Sequence, residues 1–313
     1  MEGEHIMQTL ITNIHSSKRG YLNRDFEFFH LKDQKSIHFE YHHHDFVKII
    51  IFISGKVTYL IEGKAYRLKP WDILVIGNEE IHKPIIDSSE FYERIVIWIN
   101  PAFIEKHNSS DCDLMTCFKL ASKEKYYLLR PDAESLRNTR YILSQLELEN
   151  SDKNNLFGWH ILKNSILMQL VVYLNREYLY KGSAAKADLS DSDDLKYDEN
   201  IEKILDYISS NLDSDLSIDN LSSQFYISKY YLMHMFKKQT GYSVYQYILY
   251  KRLILAGSLI KKGKSASQVC IECGFGDYSN FLRAFKKMYG IPPKEYYKSC
   301  LERKKEQSLH HFD

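Results

Sequence analysis

The sequence predicts a two-domain protein, with an all-β barrel followed by α-helices in its N-terminal part and an all-α domain at its C-terminal end. Residues 21–105 contain four short runs rich in β-branched and aromatic residues. From Pro131 onward the apolar residues recur at helical spacing. A segment low in apolar residues separates the two parts, and the length of 313 residues suits about two domains.

Composition excludes several other classes of protein. Hydrophobic residues make up 44% of the chain and charged residues 27%, as in ordinary globular proteins. No apolar run approaches the ~18 residues that span a bilayer, so no membrane partner is expected. The acidic start, MEGEHIMQTL, lacks the pattern of a signal peptide and predicts a cytoplasmic protein. The five scattered cysteines favour reduced thiols.

Turn residues divide the N-terminal part into short strands. The strand-like runs are FVKIIIFISG, VTYLIEG, AYRLKPWDILVIG and YERIVIWIN. Gly- or Pro-containing turns punctuate them at residues 54–55, 62–64, 69–70 and 77–78. Several short strands at regular spacing are typical of a barrel or a sandwich.

Two helices are expected after the strands, over residues 131–148 and 156–180, because apolar residues recur there every three or four positions. The acidic stretch KGSAAKADLSDSDDLKYD is the predicted linker. The predicted organisation is a β-barrel over 1–130, a helical segment over 131–180, the linker over 181–198, an all-α domain over 199–305 and a tail over 306–313.

The sequence motif of one short predicted helix occurs twice in the all-α domain. Phe-Lys-Lys-x-x-Gly begins at Phe236 and again 49 residues later at Phe285. Capping residues predict a short helix and a second helix around each copy, over 217–225 and 228–238, then over 265–273 and 277–287. These are two helix-turn-helix units. A connecting helix of about 20 residues would span about 30 Å, close to the ~34 Å between successive major-groove faces of DNA.

Each second helix has two different faces. The predicted inner stripes are Tyr231, Leu232, Met235 and Phe236 in the first copy and Asn280, Phe281, Ala284 and Phe285 in the second. The opposite stripes are polar or aromatic and end in lysines, which suits base contacts at the first turns and phosphate contacts beside them. Residues 221–305 also hold 16 Lys and Arg against 4 Asp and Glu, whereas residues 1–220 hold 26 against 35. This asymmetry indicates a polyanion-binding module, with a solvated helical surface as the alternative.

Residues 199–298 resemble the DNA-binding domain of the AraC/XylS family of transcription regulators. The resemblance rests on ISKYYLMHMFKKQTGYSVYQYILYKRL and ASQVCIECGFGDYSNFLRAFKKMYGIPPKEY. It implies double-stranded promoter DNA as partner, with RNA polymerase as a further one. The implied base-contacting residues are Tyr230, Met233, His234, Tyr278, Ser279, Leu282 and Arg283, and the implied phosphate-contacting residues are Lys229, Lys237, Lys238, Lys286 and Lys287. Arg283 is the best single candidate because a guanidinium can contact guanine with two hydrogen bonds, whereas Met233 and Leu282 would touch thymine methyl groups or no base.

The stretch HFEYHHHDFVKIIIFISGKVTYLIEGKAYRLKPWDILVIGNEEIHKP resembles the cupin-like sensor domain that commonly precedes such DNA-binding domains. The resemblance implies a cupin-like barrel with a pocket for a small-molecule effector, for which a sugar or glycoside is the family's usual type. The candidate effector-binding residues are His42, His44, Lys48, His82 and Arg94. The alternative is that they are ordinary residues at the end of a barrel.

No metal and no cofactor are predicted. His42, His44 and His82 have the spacing of a metal-binding cupin, but Lys48 stands where that motif has a Glu, and Trp71 replaces its usual Gly. A cation at that position repels a divalent metal. The Cys270-Ile-Glu-Cys273 motif has no second Cys or His pair at zinc spacing, which indicates packing rather than ligation.

The sequence therefore predicts an effector-responsive transcription regulator and not an enzyme. The resemblance implies an activator, and the sequence leaves repression open as the alternative. The helices over 131–180 resemble the family's dimer-forming segment and predict a homodimer; alternatively they only pack on the barrel. Two other functions remain open at this stage. One is a cupin metalloenzyme with a DNA-binding tail, and the other is a ligand-independent DNA-binding protein.

Overall fold

A computed structural model describes residues 22, 24–34, 44, 46–78, 80–150, 156–189 and 198–309. These residues form two compact units, one built from the described residues up to 189 and the other from those that begin at 198. We call them the β-domain and the helical domain. None of the helices in the described part of the chain is long and apolar enough to cross a bilayer.

The described strands of the β-domain pair as two antiparallel sheets. The strands are β1 (Phe26–Asp33), β2 (Val47–Ser54), β3 (Val57–Ile61), β4 (Lys64–Arg67), β5 (Ile73–Ile76), β6 (His82–Ile86), β7 (Tyr92–Ile99) and β8 (Leu128–Leu129). One sheet has the order β1-β7-β2-β5-β8 and the other the order β4-β3-β6. The predicted all-β fold is confirmed, but among these strands the barrel is two sheets rather than one closed ladder.

Strand β2 lies between β7 and β5 in the larger sheet, and its side chains are buried on both faces over most of its length. Lys48 is paired with Trp98 of β7 and with Ile76 of β5, so these three side chains share one face of the sheet. That face meets the smaller sheet, since the Lys48 side chain reaches His82 of β6. Val47 points to the opposite face because side chains alternate along a strand.

Four helices complete the described β-domain: α1 (Pro101–Glu105), α2 (Thr116–Glu124), α3 (Ala133–Glu149) and α4 (Trp159–Leu189). The sequence did not predict α1 and α2, which are too short to show a helical period. Helix α4 continues nine residues past its predicted end at 180, through an Ala-containing stretch that favours helix. Helices α3 and α4 share one apolar core with the strands, through residues such as Leu143 and Leu170.

The helical domain contains seven described helices: α5 (Glu199–Ser210), α6 (Ile218–Gln224), α7 (Lys229–Thr240), α8 (Val244–Lys261), α9 (Ala266–Glu272), α10 (Tyr278–Tyr289) and α11 (Pro293–Leu309). The predicted caps are confirmed, because backbone N–H groups donate to the side chains of Ser217, Ser228, Ser243, Ser265 and Asp277. Helix α11 runs four residues beyond the predicted domain end at 305.

The two helix-turn-helix units differ in their turns. The caps of the first helices, Ser217 and Ser265, are 48 residues apart, whereas the caps of the second helices are 49 apart, so the second turn has one more residue. After its first helix each unit has a left-handed residue, Tyr226 at φ 54° and Gly274 at φ 73°. A glycine adopts this conformation without a steric cost, and a tyrosine does not.

Candidate DNA-binding surface and polar interior of the β-domain

Helix α7 buries its apolar stripe and exposes the residues with predicted DNA contacts. Leu232 and Phe236 are fully buried in the helical domain. The exposed residues are Lys229, Tyr230, Met233, His234, Lys237 and Lys238. The rings of Tyr230 and His234 stack almost in parallel, with centroids 5.9 Å apart. The helix therefore presents a flat aromatic pair beside two lysines of its last turn.

Lys229 forms an ion pair that the sequence did not predict. Its Nζ contacts a carboxylate oxygen of Asp219, in the first turn of α6. Both side chains are exposed, so water screens the pair and its contribution to stability is small. Lys229 would have to exchange this carboxylate for a phosphate in order to contact DNA.

Helix α10 likewise has a buried apolar stripe and an exposed face, but one residue of the predicted inner stripe is exposed. Phe281 and Phe285 are fully buried, and Leu282 is half-buried. Asn280, placed by the sequence on the inner stripe, is exposed. The inner-stripe assignment of Asn280 was wrong because the apolar face at this first turn narrows to Phe281 alone. The predicted contact residues that are exposed on this helix are Tyr278, Ser279, Arg283, Lys286 and Lys287.

Asn280 bonds directly to Arg283. The guanidinium Nη2 of Arg283 donates to Oδ1 of Asn280, one helical turn earlier. The backbone N–H of Asn280 in turn donates to the Asp277 carboxylate, at 2.6 Å. The cap therefore fixes Asn280, and Asn280 limits the directions in which Arg283 can point. A polar amide on an otherwise apolar stripe was the sequence signal that could have revealed this role.

Long-range contacts hold both helix-turn-helix units to the connecting helix α8. Tyr289 of α10 donates its hydroxyl to Leu253 O at 3.0 Å, and its ring lies over Gly257, where a Cβ would be 2.2 Å from the hydroxyl oxygen. Arg252 donates to Leu212 O, at 2.8 Å from Nε. In the first unit, the Phe236 ring of α7 packs edge-to-face on the Tyr247 ring of α8, with centroids 5.5 Å apart. Tyr231 of α7 also donates to the Asp198 carboxylate that caps α5. These contacts give the two second helices a common support.

Cys270 and Cys273 pack inside the helical domain, as the sequence predicted. Burial raises the pKa of both thiols, that of Cys273 to about 12. Both sulfurs are therefore protonated at neutral pH and are poor metal ligands and nucleophiles.

Three of the candidate effector-binding residues meet in the interior of the β-domain. Lys48 is 6% exposed, and its Nζ lies 2.9 Å from His82 Nε2. The His44 ring lies 5.1 Å from the His82 ring, and its Nδ1 is 2.7 Å from Phe46 O. Burial lowers the pKa of Lys48 to about 7. His42 lies outside the described residues.

Arg94 has a separate set of partners. Its Nη1 donates to an Asp33 oxygen at 2.8 Å and to Tyr92 O at 3.2 Å. Its guanidinium carbon lies 4.1 Å from the centre of the Tyr92 ring. The charge of Arg94 is thus compensated by a carboxylate. Over the described ranges, no group of three or more His, Cys, Asp or Glu side chains is placed to hold a metal ion.

A cavity of about 350 Å³ lies on the other face of the larger sheet, between the β5–β6 loop and helix α2. We call it the outer cavity. Its walls are Val47, Gly77, Asn78, Glu80, Met115, Phe118, Lys119, Ser122 and Lys123. The sequence contained no signal for this cavity, because its walls come from three separate segments of the chain.

Comparisons with known proteins agree with this division of the chain. Residues 27–171 match the family profile of the AraC-like ligand binding domain, and residues 221–299 match a helix-turn-helix domain. The probable transcriptional regulator LumQ of Photobacterium leiognathi is 28% identical over 258 residues, which are 82% of this chain and 91% of that protein. The transcriptional activator RhaR of Mannheimia succiniciproducens is 23% identical over 259 residues, 82% of this chain and 87% of RhaR. The multiple antibiotic resistance protein MarA of Escherichia coli is 35% identical over 97 residues, 31% of this chain and 76% of MarA.

Proposed function

The chain belongs to the AraC/XylS family of transcriptional regulators, with an AraC-like ligand-binding domain and a helix-turn-helix DNA-binding domain, and we propose that it reads promoter DNA with α7 and α10 together under the control of a small-molecule effector. One observation carries the proposal. Two second helices, each capped at its start and basic in its last turn, expose their polar faces from one connecting helix.

The proposed base contacts come from the first turns of each helix. In α7 the stacked Tyr230 and His234 would lie along base edges beside Met233, and in α10 the pair Asn280–Arg283 would lie beside Tyr278 and Ser279. Leu282 is half-buried and would contact no more than a thymine methyl group. The proposed phosphate contacts are Lys229, Lys237, Lys238, Lys286 and Lys287.

Helix α8 provides the spacing for two grooves. Its 18 residues, at 1.5 Å each, are about 27 Å long. Successive major-groove faces on one side of DNA are about 34 Å apart. A connecting helix of this length supports the proposal that a single chain places its two second helices in two adjacent grooves.

We propose a homodimer formed through α3, α4 and the loop between them. This part of the β-domain exposes large apolar side chains that a monomer would leave in water: Tyr141, Leu148, Leu156, Phe157, Ile161 and Leu162. Several exposed apolar side chains of this size on two neighbouring helices are typical of an interaction surface. Effector binding in the β-domain would act by preferring one arrangement of the dimer over another.

The remaining parts of the proposal follow from the family. The protein would act in the cytoplasm on the nucleoid, would activate transcription by contacting RNA polymerase, and would have no catalytic role. A stoichiometric transition metal in the purified protein would instead favour the cupin metalloenzyme, although Lys48 occupies His82 Nε2.

Selection of genomic DNA fragments by the purified protein, followed by footprinting, tests the proposal. We expect protection over two successive major grooves on one face of the duplex. Lys286→Ala should weaken this protection, whereas Lys203→Ala should leave it unchanged, because Lys203 lies on α5 in an exposed pair with Glu199. Protection of a single groove, or equal losses in both variants, would refute the two-helix interface. Repeating the selection with a panel of metabolites tests effector control, and affinity that no metabolite changes would support the ligand-independent alternative.

A further inference from the structure

Lys48 is a buried amine that has no acidic partner among the described residues. Its hydrogen-bonding neighbour is His82, and throughout the described chain no carboxylate forms an ion pair with it. Arg94, the other cation of the same interior, is by contrast paired with Asp33. Burying a charge without a counter-ion costs free energy. This amine is therefore either neutral or becomes charged when an anion binds beside it.

The hydrogen bonds of His82 show which atom of the pair is the donor. His82 Nδ1 lies 3.0 Å from Glu80 O, a carbonyl oxygen that can only accept. Nδ1 therefore donates to this carbonyl, and with this tautomer Nε2 accepts from Lys48. Lys48 retains further N–H groups after this one bond. Among the described residues around Lys48, this end of the interior therefore offers more donors than acceptors.

One more polar group beside Lys48 is unsatisfied within the described residues. Trp98 Nε1, a donor only, has no hydrogen-bond partner there. Trp98 is the cross-strand neighbour of Lys48, and its ring stacks on Phe46 with centroids 4.7 Å apart. Lys48 Nζ lies 6.0 Å from the centre of the Phe46 ring. Unsatisfied donors are thus bordered by aromatic faces.

We propose that this interior binds an organic monocarboxylate, and that Lys48 takes up one proton when the acid binds. The carboxylate accepts from Lys48, and the apolar part of the acid packs against Phe46 and Trp98. A neutral sugar fits this end less well, because each of its hydroxyl groups needs an acceptor as well as a donor. The proposal rests on the effector role of the β-domain and names the chemical class of the effector.

The proton balance follows from the burial of Lys48. Burial alone lowers the pKa of Lys48 to about 7, so above this pH the free site holds a neutral amine. A carboxylate beside it favours the ammonium form, and the added proton comes from solvent. The other titratable or charged groups of this interior are His44 before β2, His82 on β6, Tyr59 on β3, Tyr92 on β7 and the Asp33–Arg94 pair between β1 and β7. Burial raises the pKa of Tyr59 to about 12 and that of Tyr92 well above its usual value, so neither titrates near pH 7.

Calorimetric titration of the full chain with phenylacetate, with its uncharged amide and with formate as the smallest carboxylate tests the proposal. We expect both acids to bind and the amide to bind more weakly. The Kd for phenylacetate should rise by about tenfold per pH unit above pH 7.5, because each binding event consumes one proton. Titrations in buffers of different ionisation enthalpy should show uptake of about one proton per acid at pH 8.5.

Two variants locate the site. Lys48→Met keeps the length of the side chain without its charge and should lose the preference for acid over amide. Lys123→Met removes an exposed lysine of the outer cavity and should bind like the unmodified protein. If Lys123→Met loses acid binding and Lys48→Met keeps it, the acid binds in the outer cavity and the proposal is overturned. If Lys48→Met does not fold, the pH dependence and the proton uptake of the unmodified protein still decide.

Three results would contradict the inference: no binding of either acid, equal binding of acid and amide, or a Kd that is constant between pH 7 and 9. A DNA footprint recorded on the same samples separates this failure from that of the proposed function. A neutral metabolite that changes the footprint would leave effector control intact and reject only the carboxylate class.

Discussion

Gly274, in the turn of the second helix-turn-helix unit, combines a left-handed backbone with close neighbours around an added methyl group. We expect Gly274→Ala to destabilise the helical domain for two reasons. The residue has φ 73°, in the left-handed region. A Cβ atom there would lie 2.4 Å from Leu212 O and 2.8 Å from Arg252 Nη2.

The magnitude follows from a comparison with Gly290. That glycine has φ 77° and has nothing within 4 Å of an added Cβ. Alanine at Gly290 should therefore cost only the left-handed conformation, about 1–2 kcal/mol. At Gly274 the same cost applies, and the Arg252–Leu212 hydrogen bond must also shift or break, which adds about 1–3 kcal/mol. The change in the unfolded chain is the same for both variants and cancels in the comparison.

Urea unfolding with two optical signals measures this difference. All three tryptophans, Trp71, Trp98 and Trp159, lie in the β-domain, so their fluorescence reports that domain alone. Circular dichroism at 222 nm also follows the helices of the helical domain. Gly274→Ala should lower the circular-dichroism midpoint more than Gly290→Ala does, with the fluorescence midpoint unchanged. Equal losses in the two variants would show that Leu212 and Arg252 move aside freely, and the packing argument would be refuted.

Three further predictions concern the proposed sites. Arg283→Ala should weaken binding to the preferred DNA site by about 1–3 kcal/mol and reduce the sequence preference at one base pair. Asn280→Ala should reduce the preference at the same base pair. Gel-shift titrations with base-substituted sites measure both effects. An equal loss on every sequence would mean that Arg283 contacts only phosphate. Lys287→Ala should weaken binding on all sequences and reduce the slope of log K against log salt by about one, and an unchanged slope would place this lysine away from DNA. Burial lowers the pKa of Lys48 to about 7, so above this pH the unfolded chain holds a proton on Lys48 that the folded chain has released. The free energy of unfolding of the β-domain should therefore rise from pH 7 to 10, relative to that of Lys48→Met. Urea midpoints from tryptophan fluorescence test this, and a difference that is constant with pH would contradict it.

Much of the helical domain was predictable because its signals are local. The caps at Ser228 and Asp277 involve groups three residues apart, and the buried stripe through Leu232 and Phe236 follows the helical period. The same reasoning failed at Asn280, where the period placed a side chain inward that the packing of the domain leaves outside.

In the β-domain the sequence predicted the strands and proposed the candidate residues but not their partners. His44, Lys48 and His82 do lie together, whereas Arg94 pairs with Asp33, 61 positions away in the chain. No local pattern carries that information, because the order and register of the strands decide which side chains share a face. The outer cavity was invisible for the same reason.

The sequence by itself determined the two kinds of domain, the duplicated helix-turn-helix and the residues that each second helix exposes, apart from Asn280 and the half-buried Leu282. Each helix, strand and cap among those features depends on residues within about four positions of one another, and the duplication follows from the repeat of one such local pattern. Only the tertiary structure decided that Asp33 compensates the charge of Arg94, whereas no carboxylate of the described residues pairs with Lys48. Charge compensation in an interior depends on which atoms meet across sheets, and that is settled when the whole domain packs.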